Sequence, residues 1–595
     1  MSFAAVLLCM FSNWDIRYYG DSLGYYQMAT EFINQGLGNF RFDLAEGGMK
    51  TLFELRGYAW PFLIAVLRVL GFNTKTGWLI WESAFMCFGL SWAVPEFFET
   101  LFRKKGGIIS RIILPAFTLI FWKGAIIYPL SDIPAITFVT LGILILLKAF
   151  GHNGIRKTAE IFAGGVCLGL SYYIRTGSMV SIFCAVLILL IYNKTRPVKR
   201  LMAVVIFAAG IMLTMIPQVV INVECNETFS WQVPISFTTG ITDLEYYNGV
   251  RYLRWESNFS ETHPDTVLLS EDSLAGTLLE QQNLIPEEIG PKELLVSILK
   301  YPVEFLGIFT SKFANMIDAR WGELYIQELK GIRYGIIILN FTIWFLGIAG
   351  IIFELGRARN GISKKSNEIN NLIYFLKKYF LYILACASPA LLHLLGTHVE
   401  PRYFLPVTVI LWQYMAVLCP WRELVRFLYN RVISMAAIYV VLFGCCSAIW
   451  NFTIENIPFY SYIYQAEPQI IDASSEEVKE IFDSEGVVGC INRYALSDEK
   501  KIGISGYAFT EGKNSEDTEM AIAFIGEDKT YFYEINNTKR GDLLETYGEN
   551  YYEAAFNFDA YLWDLDKGEY SVYILLENGE SKNGYDTLYK ISILE

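Results

Sequence analysis

The chain has 595 residues, 53% of them hydrophobic, and a mean hydropathy of +0.33, which excludes an ordinary soluble chain, whose apolar share is about 45–50%. Its net charge of −13 is unevenly divided: 29 acidic and 11 basic residues lie from Asn451 onward, so the tail carries −18 and the first 450 residues +5. The ten cysteines fall mostly inside apolar runs, and Cys225 and Cys490 show no paired spacing, so neither a disulfide framework nor a zinc site is predicted, and nothing in the charge balance suggests nucleic acid as a partner.

At about 20 residues per crossing, apolar stretches able to span or nearly span a membrane occupy 77–102, 108–128, 133–150, 161–174, 179–192, 201–221, 334–353, 379–395, 403–418 and 432–450. With the short apolar start at 3–11, which a cleaved signal peptide would also explain, they make about eleven transmembrane helices. Basic clusters fall in every second loop: 103–105, 156–157, 193–200, 357–378 and 422–431. The positive-inside rule places those loops in the cytoplasm. The alternate segments then face outward, above all the long outer loops 13–76 and 222–333, together with the acidic tail. The expected fold class is an α-helical polytopic membrane protein of the cell membrane. Its membrane domain covers 1–450, a partly helical connector 451–485, and an extracytoplasmic C-terminal β-sandwich 486–595. The sandwich rests on period-two runs at 502–509, 520–525, 530–535, 553–558, 570–576 and 587–594, separated by Gly, Asn and Asp.

Ionisable groups close to a membrane are costly and are often retained for function, and those on the outer side come in a definite order. In the first outer loop, Asp21 opens an amphipathic helix in which Leu23, Tyr26, Ala29 and Ile33, with Tyr25 and Phe32 beside them, make an apolar face closed by Gly36. Periodicity alone assigns Asp21 no more than a helix-capping role. Lys50 and Arg56 follow in Lys50-Thr-Leu-Phe-Glu-Leu-Arg56-Gly-Tyr-Ala-Trp-Pro61. A guanidinium there suits a phosphate through paired charge-assisted hydrogen bonds, and equally suits snorkelling at the interface. Next come Ser131-Asp132-x-Pro134, then Arg175, then His398, Glu400, Arg402 and Tyr403. Glu82 and Lys123 are the clear candidates for charge well inside a span.

Taken in order, Asp21-Ser-x-x-Tyr25-x-x-x-Ala29, Arg56-Gly-Tyr-x-x-Pro61, Ser131-Asp132-x-Pro134, Ile174-Arg175 and Pro401-Arg402-Tyr403 resemble the landmarks of GT-C fold glycosyltransferases. They look most like those of bacterial relatives of protein O-mannosyltransferases and of the lipid A aminoarabinose transferase. The resemblance runs over roughly the first 450 residues. It implies a GT-C-like membrane domain in which Asp21 is the catalytic base. Many members carry Asp-Glu where this chain has Asp-Ser, which leaves the second carboxylate to Asp132 or Asp15. The tail, through its Ile504-Ser-Gly-Tyr-Ala-Phe509 strand, resembles small sandwich domains that follow some bacterial membrane glycosyltransferases.

The residues fit such chemistry. A polyprenyl phosphate leaves as a stable anion, so transfer of its sugar needs one base for the acceptor hydroxyl and cations for the phosphate. Asp21 and Asp132 are the expected catalytic carboxylates, Arg56, Arg175, Arg402 and Lys50 the expected donor phosphate ligands, and Tyr25, Tyr403, His398 and Glu400 the expected substrate contacts. The expected reaction is an inverting single displacement. It moves a hexosyl or pentosyl group from a polyprenyl-phosphate donor to a cell-envelope glycan, lipid or protein, with membrane lipids as surroundings and no motif that demands a divalent metal or other cofactor. A transporter or flippase of lipid-linked glycans is the alternative, and its sign is charge at mid-membrane with internal repeats.

Overall fold

The computed structural model describes residues 2–12, 21–40, 53, 56–72, 75–193, 195–226, 228–234, 246–247, 249–258, 266–271, 273–282, 289–319, 334–361, 379–396, 400–455, 459–461, 469–471, 486–496, 501–535, 537–538, 543, 546–562, 565–579 and 581–593. They fall into two compact units, Met1–Glu256 with Leu269–Pro458, and Ser257–Leu268 with Phe459–Glu595.

The first unit is helical. Four of its helices are long and apolar enough to cross a membrane: Asp132–Ala149, Pro197–Cys225, Tyr334–Phe353 and Val432–Asn451. Two bent pairs raise the number to six if each is one broken span: Lys292–Lys300 with Pro302–Met316, bent by 109°, and Pro401–Val417 with Trp421–Asn430, bent by 94°. Ser2–Ser12, Ala59–Leu70, Ile109–Phe121, Thr176–Ile191 and Leu381–Ala390 are apolar but shorter. Among the described residues, therefore, fewer full-length spans are found than the eleven expected. The expected span 108–128 shows why. Its helix ends at Phe121, Trp122 leaves helical geometry at φ −137°, and a separate turn, Gly124–Ile127, follows. Lys123 lies in that break and not inside a helix. Glu82 does sit within a helix and is fully buried.

Small residues set the closest helix contacts. A Cβ on Gly165 would lie 2.2 Å from the Phe207 carbonyl oxygen, and one on Gly210 would lie 2.3 Å from that of Phe162. The helices Gly154–Ile174 and Pro197–Asn226 thus touch backbone to backbone, as small-residue interfaces in membranes allow. The Asp21–Asn34 helix differs from expectation in its face. Its buried residues include Ser22, Tyr25, Met28, Ala29 and Phe32, while Tyr26 and Ile33 are only partly covered. The cause is tertiary packing: Phe32 meets Phe40, Phe53 and Phe62 at ring distances of 5.5–5.9 Å, so the helix packs on its neighbours. Gly36, at φ +89°, follows its end.

Among the described residues the second unit holds the short antiparallel pair Thr266–Leu268 with Phe459–Ser461 and two larger antiparallel sheets. One runs Val487–Leu496, Lys501–Thr510, Ala555–Tyr561, Asn537–Thr538 in spatial order, and the other Ser581–Ile593, Gly568–Asn578, Glu519–Ile525, Thr530–Ile535, Gln469–Ile471. Alternate residues such as Ile502 and Ile504, Ile522 and Phe524, and Val572, Ile574 and Leu576 form its buried core, the inward-facing pattern of a sandwich.

Candidate active site

Five chain segments that are far apart in sequence meet at helix ends. Asp21 is the first residue of the Asp21–Asn34 helix. Arg56 directly precedes Gly57 and the Ala59–Leu67 helix. Asp132 opens the Asp132–Ala149 helix, Arg175 ends Gly154–Ile174 in an extended conformation, and Arg402 lies in the 3-10 turn Pro401–Phe404 that leads into Leu405–Val417.

Local packing explains the placement. A Cβ at Gly57 would stand 2.2 Å from the Tyr173 carbonyl oxygen, so only glycine lets the Arg56 segment lie against the strand-like exit of the Tyr173-Ile174-Arg175 segment. Trp60 Nε1 donates to the Pro129 carbonyl at 2.8 Å, and the Tyr58 hydroxyl to the Thr214 carbonyl at 2.8 Å. The first bond ties the Ala59–Leu67 helix to the segment that leads into Asp132, and the second ties the start of that helix to Pro197–Asn226.

The charged groups form two linked sets. Asp21 accepts from Arg56 at 2.5 Å on one carboxylate oxygen and from Arg402 at 2.7 Å on the other. Arg402 also pairs with Glu400, which accepts the Tyr403 hydroxyl at 2.7 Å. Beside them, Arg175 pairs with Asp132 at 2.6 Å. The Tyr403 ring joins the sets, with the Arg175 guanidinium 4.5 Å and the Arg402 guanidinium 5.4 Å from its centroid, within the range of cation–π attraction. Tyr25 lies 5.6 Å below Arg56 and donates its hydroxyl to Ser131 at 3.0 Å. Asp132 and Arg402 are nearly covered, with side chains 4% and 6% exposed, whereas Asp21 keeps 33%. Asp21 is therefore the more accessible carboxylate. A narrow crevice lined by Asp132, Arg175, Tyr403 and Cys386 adjoins the cluster.

Burial alone would raise the Asp21 carboxyl, but the charges and hydrogen bonds of Arg402 and Arg56 outweigh it and hold the group well below the usual carboxylate range.

Of the residues singled out in the sequence, Asp21, Tyr25, Arg56, Asp132, Arg175, Glu400, Arg402 and Tyr403 are brought together. Lys50 and His398, with Asp15, lie outside the described residues. In the structure Asp21 gives both oxygens to guanidiniums, and Arg56 turns to Asp21 at 18% exposure. Ser131 as the partner of Tyr25, and Gly57 as the contact that seats Arg56, were not foreseen. Their only sequence signal is that each adjoins a singled-out charge. Among the described residues no group of three or more His, Cys, Asp or Glu side chains is placed to hold a metal ion.

Fold and site together define a helical membrane protein that gathers three guanidiniums and three carboxylates at the ends of its helices. No family model matches the chain and no curated protein matches it. Two solved structures are similar to it. One is the archaeal oligosaccharyltransferase AglB from Archaeoglobus fulgidus in complex with an inhibitory peptide and a dolichol-phosphate, at 14% identity and a TM-score of 0.35, covering 76% of this chain and 54% of that one. The other is the Archaeoglobus fulgidus oligosaccharyltransferase in the apo form, at 12% identity and a TM-score of 0.33, with the same coverage. The chain spans about half the length of these proteins.

Proposed function

We propose that this chain is a membrane glycosyltransferase that moves a sugar from a polyprenyl-phosphate donor to a cell-surface acceptor, with Asp21 as base and Arg56, Arg402 and Arg175 as the phosphate's cations. The observation that carries the reading is the clamp of Asp21 between Arg56 and Arg402. The cluster is balanced, three cations against three carboxylates, so an incoming phosphate has to compete with a carboxylate for its guanidiniums. Asp21, the partly exposed one, is the group it displaces. Losing both arginines to the phosphate frees the carboxylate of the contacts that depress it, and Asp21 becomes a stronger base when a donor is bound.

The step then balances simply. The acceptor hydroxyl gives its proton to Asp21, its oxygen bonds to the anomeric carbon, and the bond from that carbon to the phosphate oxygen breaks with its electron pair on the phosphate. The arginines take up the growing charge, and attack opposite the phosphate inverts the anomeric centre. Asp132, almost buried and held by Arg175, serves best as the group that orients Arg175 beside Tyr403.

The test is a membrane assay with a polyprenyl-phosphate sugar and the cell's own acceptors, at matched protein levels. Asp21→Asn keeps the size but removes the basic lone pair, so transfer falls by about a hundredfold or more, the usual contribution of a general base, while donor binding persists. Wild-type turnover in Asp21→Asn would reduce the residue to a structural partner of two arginines and overturn the assignment.

A further inference from the structure

An apolar groove of about 1030 Å³ runs between the helices Tyr334–Gly361 and Val432–Glu455, at the upper end of the about 300–1,000 Å³ typical of ligand pockets. Trp344, Ile348 and Ile352 line one wall and Met435, Ile438 and Leu442 the other. It extends over residues 341–353 of the first helix, about 18 Å at 1.5 Å per residue, close to one leaflet of a hydrocarbon core about 30 Å thick. The second helix leaves it open sideways, since 0% of the apolar window of Val432–Asn451 is buried.

One end of the groove is chemically distinct. Among its described lining residues the charged one is Arg431, exposed at the mouth with its guanidinium 5.0 Å from the Phe427 ring centroid. The helix that leads to it, Trp421–Asn430, turns by 94° from the one before and carries exposed Arg422 and Arg426 with exposed Trp421 and Tyr429. Basic and aromatic residues on a short helix lying across the bundle are the marks of a segment at the headgroup level. Arg402 is a helix length away, beyond Leu405–Val417.

We propose that this groove holds an acyl chain of an anionic phospholipid from the leaflet next to the basic loops, with the headgroup phosphate on Arg431. The apolar walls take the chain, and the arginine sets the headgroup's charge and polarity. The opposite polarity, a prenyl tail whose phosphate sits at Arg402, leaves Arg431 without a role, and the charge at the mouth favours the phospholipid.

The experiment measures lipid retention by native mass spectrometry, and melting, for the purified full chain with added phosphatidylglycerol or phosphatidylcholine. The wild type should retain phosphatidylglycerol about fivefold better, the preference of one arginine at an anionic surface, and melt higher with it. Ala349→Trp, which fills the groove, should abolish retention of either lipid. Arg431→Gln, an exposed change that leaves the bundle intact, should keep retention but lose the preference. Equal retention of the two lipids by the wild type, or an unchanged preference in Arg431→Gln, would overturn the proposal. Stoichiometric displacement of phosphatidylglycerol by a polyprenyl phosphate would overturn it as well, by giving the groove to a prenyl tail.

Discussion

Arg402 and Arg56 hold one carboxylate between them, and substitutions should separate their roles. Arg402→Ala should mainly weaken donor binding, and Arg402→Lys should restore it only in part, since an ammonium lacks the planar fork that serves two acceptors at once. Donor titrations of the two variants check this. Full rescue by lysine would mean that charge alone matters. The depressed Asp21 carboxyl also sets a pH dependence. Its folded-state value lies below the ordinary one, so the ion pairs survive as pH falls well past the usual carboxylate range and are lost only below it. A bound phosphate that takes the arginines raises that value again. The acidic limb of kcat, which reports the complex, should therefore lie at higher pH than that of kcat/KM, which reports the free enzyme. Coincident limbs would argue against the exchange of partners. At the second pair, Arg175→Ala leaves Asp132 buried without its cation, a loss of about 3–5 kcal/mol. Asp132→Asn in the same background should recover part of it in a double-mutant cycle read by melting.

Within the helical unit, Gly165 and Gly210 sit where no side chain fits. Gly165→Ala should force apart the helices Gly154–Ile174 and Pro197–Asn226 and cost about 1–3 kcal/mol by overpacking. Gly335→Ala has open space around its Cβ and should be neutral or slightly stabilising, because alanine is the better helix former. Thermal melts of the two variants in one detergent make the comparison. Element positions were legible wherever a long apolar run coincided with a helix: Asp132–Ala149, Tyr334–Gly361 and Val432–Glu455 start within a residue of their apolar runs. Gly154–Ile174 begins seven residues before its run, because polar turns still complete the backbone ladder once they reach water. In the tail, Thr530–Ile535 matches its alternating run, while Val487–Leu496 was missed. A register shift between Ile491 and Arg493 breaks the period of two there.

For the molecule as a whole, sidedness and the independence of the sandwich are the open expectations. In a cysteine-free background, single cysteines at the exposed positions Asn34 and Lys513 should react with an impermeant maleimide in whole cells, while one at exposed Lys105 should not. Labelling at Lys105 alone would invert the topology. A fragment of residues 459–595 should be soluble and melt cooperatively. It should also be more stable than one of residues 485–595, which lacks the Gln469–Ile471 strand paired with Thr530–Phe532. Equal melting temperatures would mean that this edge adds nothing.

By itself the sequence determined the membrane character, most helix positions, the sheet-rich tail, and the order of charges at helix ends, because hydrophobic period and charge are local properties of a chain. It singled out Asp21, Arg56, Asp132, Arg175 and Arg402, which the structure brings together. The partners were decided only by the tertiary structure: Asp21 between arginines 35 and 381 residues away, Arg175 on Asp132, and Ser22 and Met28 buried though the helix period had not placed them on its apolar face. Such choices depend on which helix ends meet. That is settled by close contacts like Gly57 on Tyr173, and a contact between distant segments leaves no period in either.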